Sequence, residues 1–485
     1  MFSYFIQSLL ILLLIFTPLA LGSVEIWAFS LMEMGILLII IFWALDSAIR
    51  NPHSAIPHVS TLKDVSSLQF AIRNPQFAMI ILFLCLVLLQ MVPLPSGLVR
   101  FISPRSYELR HSLSISSPAF ELSAFSFELS VFPFATKIEF FKWLTLTGLF
   151  IFLLQWEGWK GERRTRSGFM LAIFLVGVLE SLYGMFEFFS GHNQIFHLKG
   201  LVSSVTGTFI NRNYFAGYLL MVIPLSTGFL FSRDFFQRSQ FRSWRYRLSS
   251  LDGKTLLVGF GIILMILGLL FSASRMGIAS LLFSFGAISL FLKDPGKKGR
   301  FSKKPVLILV LALLWGAWIG LDAVMNRFLA SSEDFKSRWE MWGDTSRIIE
   351  EFPVFGSGLG TFVQVYPMYD SSYKPGIATH AENDFLQLAS EVGVIGIGLL
   401  LILFLILFYK AIFGIRLLSH GESERNIGIG GLVGIMALML HSLVERNIQV
   451  PANAFLYTFI FATVLRIASS PTSAHHPGEK GGDLE

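Results

Sequence analysis

Residues 255–292 read TLLVGFGIILMILGLLFSASRMGIASLLFSFGAISLFL, two apolar runs joined by a short turn that holds one charged residue, Arg275. Each run is close to the roughly 20 residues that a helix needs to cross the hydrocarbon core of a bilayer. A helix also satisfies its own backbone hydrogen bonds, as lipid requires. The stretch therefore predicts a pair of transmembrane helices.

The composition of the whole chain extends this prediction. Of 485 residues, 53% are hydrophobic, 14% are charged and 49 are Phe, whereas about 25% of the residues of a typical soluble domain are charged. A soluble protein of this size could not hide so much apolar surface, and disordered chains are rich in charge and poor in aromatics. The remaining class is an all-α polytopic membrane protein.

The apolar runs predict about twelve transmembrane helices. No Lys or Arg precedes the first run, so we expect a span there and not a cleaved signal peptide. The single cysteine, Cys85, is expected to be a small core residue. The spans form one integral membrane domain, 1–468, followed by a disordered cytoplasmic tail, 469–485. They lie at about 4–22, 27–45, 76–92, 139–155, 168–190, 214–231, 255–272, 276–292, 305–322, 389–409, 427–444 and 453–467.

Lys and Arg residues concentrate in alternate loops, as around 160–166, 233–254 and 293–304. Because cytoplasmic loops are enriched in these residues, both termini are expected in the cytoplasm. Two long loops then lie outside, at about 93–138 and, between the ninth and tenth helices, at about 323–388. Long loops in a compact membrane protein are usually functional.

Two arginines lie close to spans on the outer side. Arg212 stands between Asn211 and Asn213 just before the sixth span, and Arg275 lies in the SASRMG turn. An anionic ligand would explain such charges, because a guanidinium donates bidentately to phosphate. Arg275 also falls at a predicted helix start, where free N–H groups favour anions. The alternative is contact with lipid headgroups.

The second long outer loop begins with a helical pattern. The apolar residues between 337 and 351 recur at a helical period and predict an amphipathic helix at the membrane interface. Arg338 on this helix either faces a ligand or lies on its polar side. The PVFGSGLGT sequence that follows (353–361) lacks the strand and the Lys of a phosphate-binding loop. We expect a turn there that allows close backbone approach.

A third polar group is HAENDFLQLASEVG (380–393). If this stretch is helical, His380, Asn383 and Asp384 share a face, and Glu391 lies two turns further on. A histidine beside carboxylates can act as a general base near neutral pH. The alternatives are a divalent-metal site, which one histidine with acids supports weakly, and an ordinary surface histidine.

Further polar residues occur within or beside spans. His441 and Glu445 are four residues apart at the end of the eleventh span, and Glu180 and Glu187 are seven apart in the fifth. Acids in spans are costly and are usually paired or functional. Structural ion pairs with nearby arginines explain them as well as catalysis does.

Taken in order, five stretches resemble the O-antigen ligase family, whose superfamily includes Wzy-type polysaccharide polymerases and bacterial O-linked oligosaccharyltransferases. PLPSGLVRFISP (93–104) is also similar to many members, and the resemblance is strongest between about 200 and 450. The five stretches are GTFINRNYFAGYL (207–219), SASRMGIAS (272–280), SRWEMWGDTSRIIEEFPVFGSGLGTF (337–362), HAENDFLQLASEVGVIG (380–396) and HSLVERNIQVP (441–451).

The resemblance implies a GT-C-type glycosyltransferase of the bacterial inner membrane that uses a polyprenyl (undecaprenyl) diphosphate-linked glycan as donor on the periplasmic or outer side. It implies no cofactor and no metal. Arg212 and Arg275 match the arginines that hold the diphosphate, and Arg338 matches the one that opens the loop helix. His380 matches the general base of a His-Asn-x-x-Leu motif, here with two residues inserted before Asn383. Candidate supporting residues are Asn211, Asn213, Glu187, Asn383, Asp384, Glu391, His441 and Glu445.

The resulting hypothesis is an inverting transfer of the glycan to a hydroxyl of a lipid A core, a glycan or another acceptor. A Wzy-type polymerase would use the same donor and differ only in its acceptor. A twelve-helix transporter or flippase is the rival from another class, although no related halves are visible in the sequence. The expected partners are the bilayer, the lipid-linked donor and the acceptor, and no nucleic acid.

Overall fold

The computed structural model describes residues 2–50, 75–115, 126–159, 163–192, 194–196, 198–199, 204–232, 252–292, 302–320, 332–372, 378–419 and 423–469. Two short antiparallel strand pairs accompany the helices: β1 (Leu94–Pro95) with β2 (Ser126–Phe127), and β3 (Gln194–Ile195) with β4 (Leu198–Lys199). The helices are α1 (Phe2–Leu19), α2 (Ile26–Arg50), α3 (Pro75–Met91), α4 (Ser96–Ile102), α5 (Pro104–Ile115), α6 (Pro133–Gln155), α7 (Arg163–Phe189), α8 (Arg212–Phe231), α9 (Gly253–Phe271), α10 (Arg275–Phe291), α11 (Lys303–Ile319), α12 (Ser332–Glu351), α13 (Phe362–Val365), α14 (Asp384–Leu417), α15 (Ser423–His441) and α16 (Pro451–Ala468).

A helix overlaps most of each of the twelve predicted spans. In the described part of the chain, eight of these helices are long and apolar enough to cross a membrane, and α3 and α10 are shorter apolar helices. The prediction of an all-α polytopic membrane protein is therefore confirmed, while the total of twelve spans stays a prediction. The predicted tail, 469–485, lies outside the described residues except for Ser469, and so does the start of the second long loop, 323–331.

Helix α8 lies at the centre of the bundle and is buried along nearly its whole length. Helix α15 packs against it with the two backbones in contact. A Cβ on Gly430 would lie 2.4 Å from the carbonyl oxygen of Pro224, and one on Gly228 would lie 2.3 Å from that of Asn426. Small residues that allow such approach drive helix association in lipid, where apolar side chains gain little from pairing. Helix α16 packs against both helices and completes the centre.

The two long interhelical segments pack together into one structure, which we call the cap: the described residues of 92–132 and 332–383. Arg105 Nε in α5 lies 2.6 Å from Glu351 Oε2 in α12, and the N–H of Val131 donates to the carbonyl of Ser357 at 2.8 Å. A small apolar core joins the segments, with Leu109 and Val131 packed on Ile348, Phe352, Phe362, Val365, Tyr366 and Ala381.

Helix α14 is broken at Gly393, which has φ 64° and ψ −172°. The loop 353–358 of the cap replaces the hydrogen bonds that the break removes. The N–H groups of Ser357 and Gly358 donate to the carbonyls of Ser390 and Glu391 at 2.9 and 3.0 Å. In return, the N–H groups of 394 and 395 donate to the carbonyls of 353 and 354 at 2.9 and 3.4 Å. Irregular backbone inside a membrane protein requires this kind of replacement.

The expectation for Cys85 is wrong. Its side chain is exposed on α3, on the same side as exposed Ile81, Leu82, Leu88 and Leu89. An apolar face of a spanning helix is solvated by lipid tails, so exposure costs a thiol little there. In a bilayer, an apolar residue in a span need not lie in the protein core.

We expect Gly393→Ala to destabilise the protein. The backbone region of Gly393 is essentially restricted to glycine and costs other residues about 1–3 kcal/mol. An added Cβ would also lie 2.4 Å from the carbonyl oxygen of Val354. The apparent melting temperature in detergent should fall by several degrees. Gly398→Ala is the matched control, because it lies in the same helix with open space around it. Equal melting temperatures for the two variants would contradict this account of the break.

Candidate active site

Arg212 is the first residue of α8. The side chain of Asn211 caps this helix by accepting a hydrogen bond from the N–H of Asn213 at 2.8 Å. The loop before Asn211 is anchored by the fully buried Glu180, which accepts hydrogen bonds from Thr208 N at 2.8 Å and Thr208 Oγ1 at 2.6 Å. Arg212 is thus held on a fixed backbone, and its Nη1 is buried with no hydrogen-bond partner among the described residues.

Arg275 begins α10, as the sequence predicts, and Ser274 caps that helix. The Ser274 hydroxyl also lies 3.3 Å from Nε2 of the fully buried His441. The side-chain amide of Asn447 donates to His441 Nδ1 at 3.1 Å. Because Nδ1 accepts, Nε2 carries the imidazole proton and donates to Ser274. His441 therefore ties the turn of Arg275 to Asn447.

Arg338, in α12, is paired with a buried acid. Its Nη2 lies 2.7 Å from Glu445 Oε1, and its Nη1 donates to the carbonyl of Val444 at 2.6 Å. The other oxygen of Glu445 accepts a hydrogen bond from the Asn213 side chain at 2.6 Å. Burial raises the pKa of the Glu445 carboxyl, and the charge of Arg338 opposes that shift. Glu445 thereby links the cap helix α12 to the start of α8.

His380 lies in the cap, just before α14. Nη1 of Arg446 donates to its Nε2, and its Nδ1 is buried with no hydrogen-bond partner among the described residues. The guanidinium of Arg446 also lies over the ring of Tyr214, 6.0 Å from the ring centroid. Burial, Arg446 and Lys142 together lower the pKa of His380 to about 2. The imidazole is therefore neutral at any physiological pH.

The segment 441–449 touches every one of these elements. Its side chains reach Ser274 beside Arg275, Asn213 beside Arg212, Arg338 on the cap, and His380. The structure thus brings the four predicted residues to one end of the bundle, around a single connecting segment. A neutral histidine can accept a proton, and arginines that begin helices at the same end of the bundle can bind an anion.

Residues 260–403 match the family model described as O-Antigen ligase. The match covers less than half of the chain and supports an O-antigen ligase assignment for this segment. No curated protein matches the chain. The match supports a membrane enzyme of the ligase or polymerase kind.

The O-antigen ligase segment contains Arg275, Arg338 and His380 but neither Arg212 nor the segment 441–449. The contacts described above join those two parts of the chain to the family segment. Arg212 is connected through Asn213 and Glu445, and the segment 441–449 through its bond to Ser274. The geometry therefore extends the candidate site beyond the residues that the family match covers.

The expectation of a shared helical face for His380 and Asp384 is wrong, because α14 of this O-antigen ligase segment begins only at Asp384. Asn383 caps the helix and accepts from the N–H groups of residues 385 and 386 at 3.1 and 3.0 Å. Asp384 Oδ2 accepts from the N–H groups of Asn447 and Ile448, both at 2.7 Å. Both side chains therefore fix the start of the helix next to His380.

Glu391 is linked to the segment 441–449 through Gln387, whose side-chain amide donates to Glu391 Oε1 and to Gln449 Oε1, both at 3.1 Å. Glu391 accepts a hydrogen bond from the N–H of Gly360 at 2.9 Å and thus helps to hold the loop of the cap at the helix break. Glu187 is buried near the end of α7, with its carboxylate 3.6 Å from Nδ1 of His192. Within the described residues, no group of three or more His, Cys, Asp or Glu side chains is arranged to hold a metal ion.

Sequence reasoning missed Arg446, Asn447 and the partner of Glu180. Arg446 carried the same signal as Arg212, a positive charge on a short turn that is predicted to lie outside. The other two carried none, because a lone asparagine or threonine in a loop is common. Their positions follow only from the packing of distant elements.

We expect Glu445→Ala to destabilise the protein, because it removes the acceptor for both Asn213 and Arg338. Leaving such groups unpaired costs about 1–3 kcal/mol, and Arg338 is partly exposed, which reduces the cost. The apparent melting temperature in detergent should fall. Glu350→Ala, at an exposed position on α12, is the control and should leave it unchanged. If both variants melt like the wild type, the pair at Glu445 contributes no stability.

Proposed function

We propose that the protein is an O-antigen ligase-like glycosyltransferase that moves a glycan from a polyprenyl diphosphate carrier to an acceptor hydroxyl. The observation that carries the proposal is that His380, together with the residues next to Arg212 and Arg275, bonds to the segment 441–449 at one end of a membrane-embedded bundle. The family match adds that the larger part of this site lies in an O-antigen ligase segment.

The diphosphate would be held chiefly by Arg212 and Arg275. Arg212 presents an Nη1 with no hydrogen-bond partner among the described residues, and Arg275 adds its charge to the N-terminus of α10, where helix N–H groups favour anions. Arg338 would contribute less, because Glu445 and the carbonyl of Val444 already engage its guanidinium. A polyprenyl tail would leave the site between the helices, in the bilayer.

The proposed reaction is a single displacement with His380 as general base. The neutral imidazole takes the proton of the acceptor hydroxyl while that oxygen forms a bond to the anomeric carbon. The bond between the anomeric carbon and the phosphate oxygen breaks, and its electron pair leaves with the lipid diphosphate. Arg212 and Arg275 stabilise the charge that grows on the leaving group. One displacement inverts the anomeric centre, and no metal or cofactor is proposed.

The proposed location is the bacterial inner membrane, with both termini in the cytoplasm and the site facing the periplasm. This orientation rests on the distribution of Lys and Arg among the loops. The twelve spans and the GT-C architecture belong to the same proposal. The proposed donor is an undecaprenyl diphosphate-linked glycan, and the proposed acceptor is a lipid A core hydroxyl, whereas a polymerase would use a second lipid-linked glycan.

We expect Arg212→Ala, Arg275→Ala and His380→Ala each to reduce glycan transfer by about 100-fold or more, as loss of a group that stabilises a transition state does. Lysine at Arg212 or Arg275 should also transfer slowly, because an ammonium lacks the planar fork that binds phosphate bidentately. The measurement is transfer from undecaprenyl diphosphate-linked glycan to purified lipid A core in membranes that contain each variant at equal amounts.

Arg416→Ala is the matched control, because Arg416 lies exposed at the opposite end of α14. It should transfer like the wild type. Near wild-type transfer by all three site variants would overturn the proposed site. Elongation of the lipid-linked glycan without transfer to lipid A core would identify a polymerase, and flux of the donor across proteoliposomes without transfer would identify a transporter.

We expect kcat/KM for the donor to show no loss between pH 7.5 and 5.5 from titration of His380. This parameter reports the free enzyme, in which burial, Arg446 and Lys142 lower the pKa of His380 to about 2. A depressed pKa keeps the imidazole neutral, and so active as a base, until the pH falls far below 5.5. A loss of kcat/KM with a midpoint near 6.5, the ordinary pKa of histidine, would contradict the conclusion that burial and two nearby cations lower the pKa of His380.

A further inference from the structure

Arg446 is the closest cation to His380 and has no assigned role. Its Nη1 donates to His380 Nε2, its Nε is buried with no hydrogen-bond partner among the described residues, and its guanidinium lies over the ring of Tyr214. Tyr214 is two residues from Arg212 at the start of α8. Arg446 therefore lies between the proposed base and the proposed diphosphate site.

The charge of Arg446 has no carboxylate within ion-pair distance in the part of the chain that the structure describes. The nearby Asp384 directs its Oδ2 at the backbone N–H groups of Asn447 and Ile448, and Glu445 is paired with Arg338. A buried or half-buried cation is normally paired with an anion. The groups in direct contact with Arg446 are the neutral imidazole of His380 and the ring of Tyr214, while the carboxylate of Asp384 acts on it from beyond ion-pair distance. A neutral group is a weaker acceptor than an anion.

The contact with Arg446 occupies the nitrogen that a base needs. A guanidinium only donates, so His380 Nε2 must accept with its lone pair, and the imidazole proton then lies on Nδ1. In that state Nε2 cannot take a proton from an acceptor hydroxyl. His380 can act as the base only after Arg446 has moved away from it.

We propose that Arg446 is a further diphosphate-binding residue, which contacts His380 Nε2 in the free enzyme and leaves it to bind the donor's diphosphate. This inference rests on the proposed function. A phosphate group is an anion and accepts two parallel hydrogen bonds from a guanidinium, whereas a neutral imidazole accepts one and offers no opposite charge. The exchange of partners is therefore favourable once the donor arrives.

Because Arg446 already contacts Tyr214, a short movement of its guanidinium is enough to carry it from His380 to the proposed diphosphate site. The guanidinium of Arg446 lies 6.0 Å from the centroid of the Tyr214 ring and also hydrogen-bonds the Tyr214 side chain, and a cation over an aromatic face is attracted to it in more than one orientation. Arg446 can therefore turn from His380 towards the start of α8 while it stays over the same ring. The base then becomes available only when a donor is in place, and the donor binds before the acceptor reacts.

The first experiment measures binding without catalysis. Undecaprenyl diphosphate, without a glycan, is titrated into purified His380→Ala in detergent micelles and into the same protein carrying Arg446→Gln. We expect Arg446→Gln to weaken binding about 10-fold or more, and Arg446→Lys to be intermediate, since it keeps the charge but not the fork. Arg347→Gln, which changes an exposed arginine of α12, is the matched control and should bind normally.

The second experiment uses pH profiles with the glycan donor. In the wild type, kcat/KM should stay level down to pH 5.5, while kcat, which reports the donor complex, should show an acid limb at a higher pH than kcat/KM does. In Arg446→Gln, kcat/KM should acquire an acid limb at a higher pH than in the wild type. The charged groups that act on His380 are Arg446 and Lys142. In this variant Lys142 and burial still lower the pKa of His380, so the acid limb should lie below the ordinary pKa of histidine.

The outcomes separate the two proposals. If undecaprenyl diphosphate binds no variant and the wild type transfers no glycan, the proposed function fails. If Arg212→Ala abolishes binding but Arg446→Gln binds as tightly as its parent, the proposed function stands and the role of Arg446 is overturned. Identical pH profiles for the wild type and Arg446→Gln would likewise contradict the proposal that Arg446 occupies His380 Nε2 in the free enzyme.

Discussion

The break of α14 at Gly393 is the constraint on which the rest of the site depends. Two N–H groups of the cap bond to carbonyls before the break, and two carbonyls of the cap accept N–H groups after it. Such backbone groups cannot stay unpaired in a low-dielectric interior. The cap must therefore lie at one position relative to α14, and that position places His380 beside the end of the bundle.

The position of the segment 441–449 relative to the start of α8 is also fixed. It connects α15 to α16, and α15 lies with its backbone against α8, so little rotation of the segment relative to the start of α8 is possible. Asp384 then bonds to the backbone of this segment, and Glu445 bonds to both α8 and the cap. A polar network in which each member has partners in several elements makes the arrangement unique, because loss of one partner leaves others buried and unsatisfied.

The sequence predicted the parts of this architecture that depend on local pattern. Each apolar run predicted a span, and a helix lies at each of those positions. The SASRMG turn predicted that a helix begins at Arg275, as it does. Contacts between distant residues carry no such pattern. Nothing local indicates that the carboxylate of Glu180 accepts from Thr208, or that the loop 353–358 completes a broken helix. The exposure of Cys85 shows that apolarity alone does not separate core from lipid-facing positions.

The position of Gln90 has a consequence for how the chain assembles. Its side chain, on α3, donates to the carbonyls of Phe355 and Glu391 at 2.7 and 3.0 Å and accepts from the N–H of Leu359 at 3.0 Å. These bonds join residues 265 to 301 positions apart in the sequence, and contacts of such separation form late. The part of α14 before Gly393 carries Asp384 and Glu391, and charged residues are costly to insert into a bilayer. We expect biogenesis to leave this part outside the bilayer until α3 and the cap are both in place, so that the site is the last part of the protein to mature.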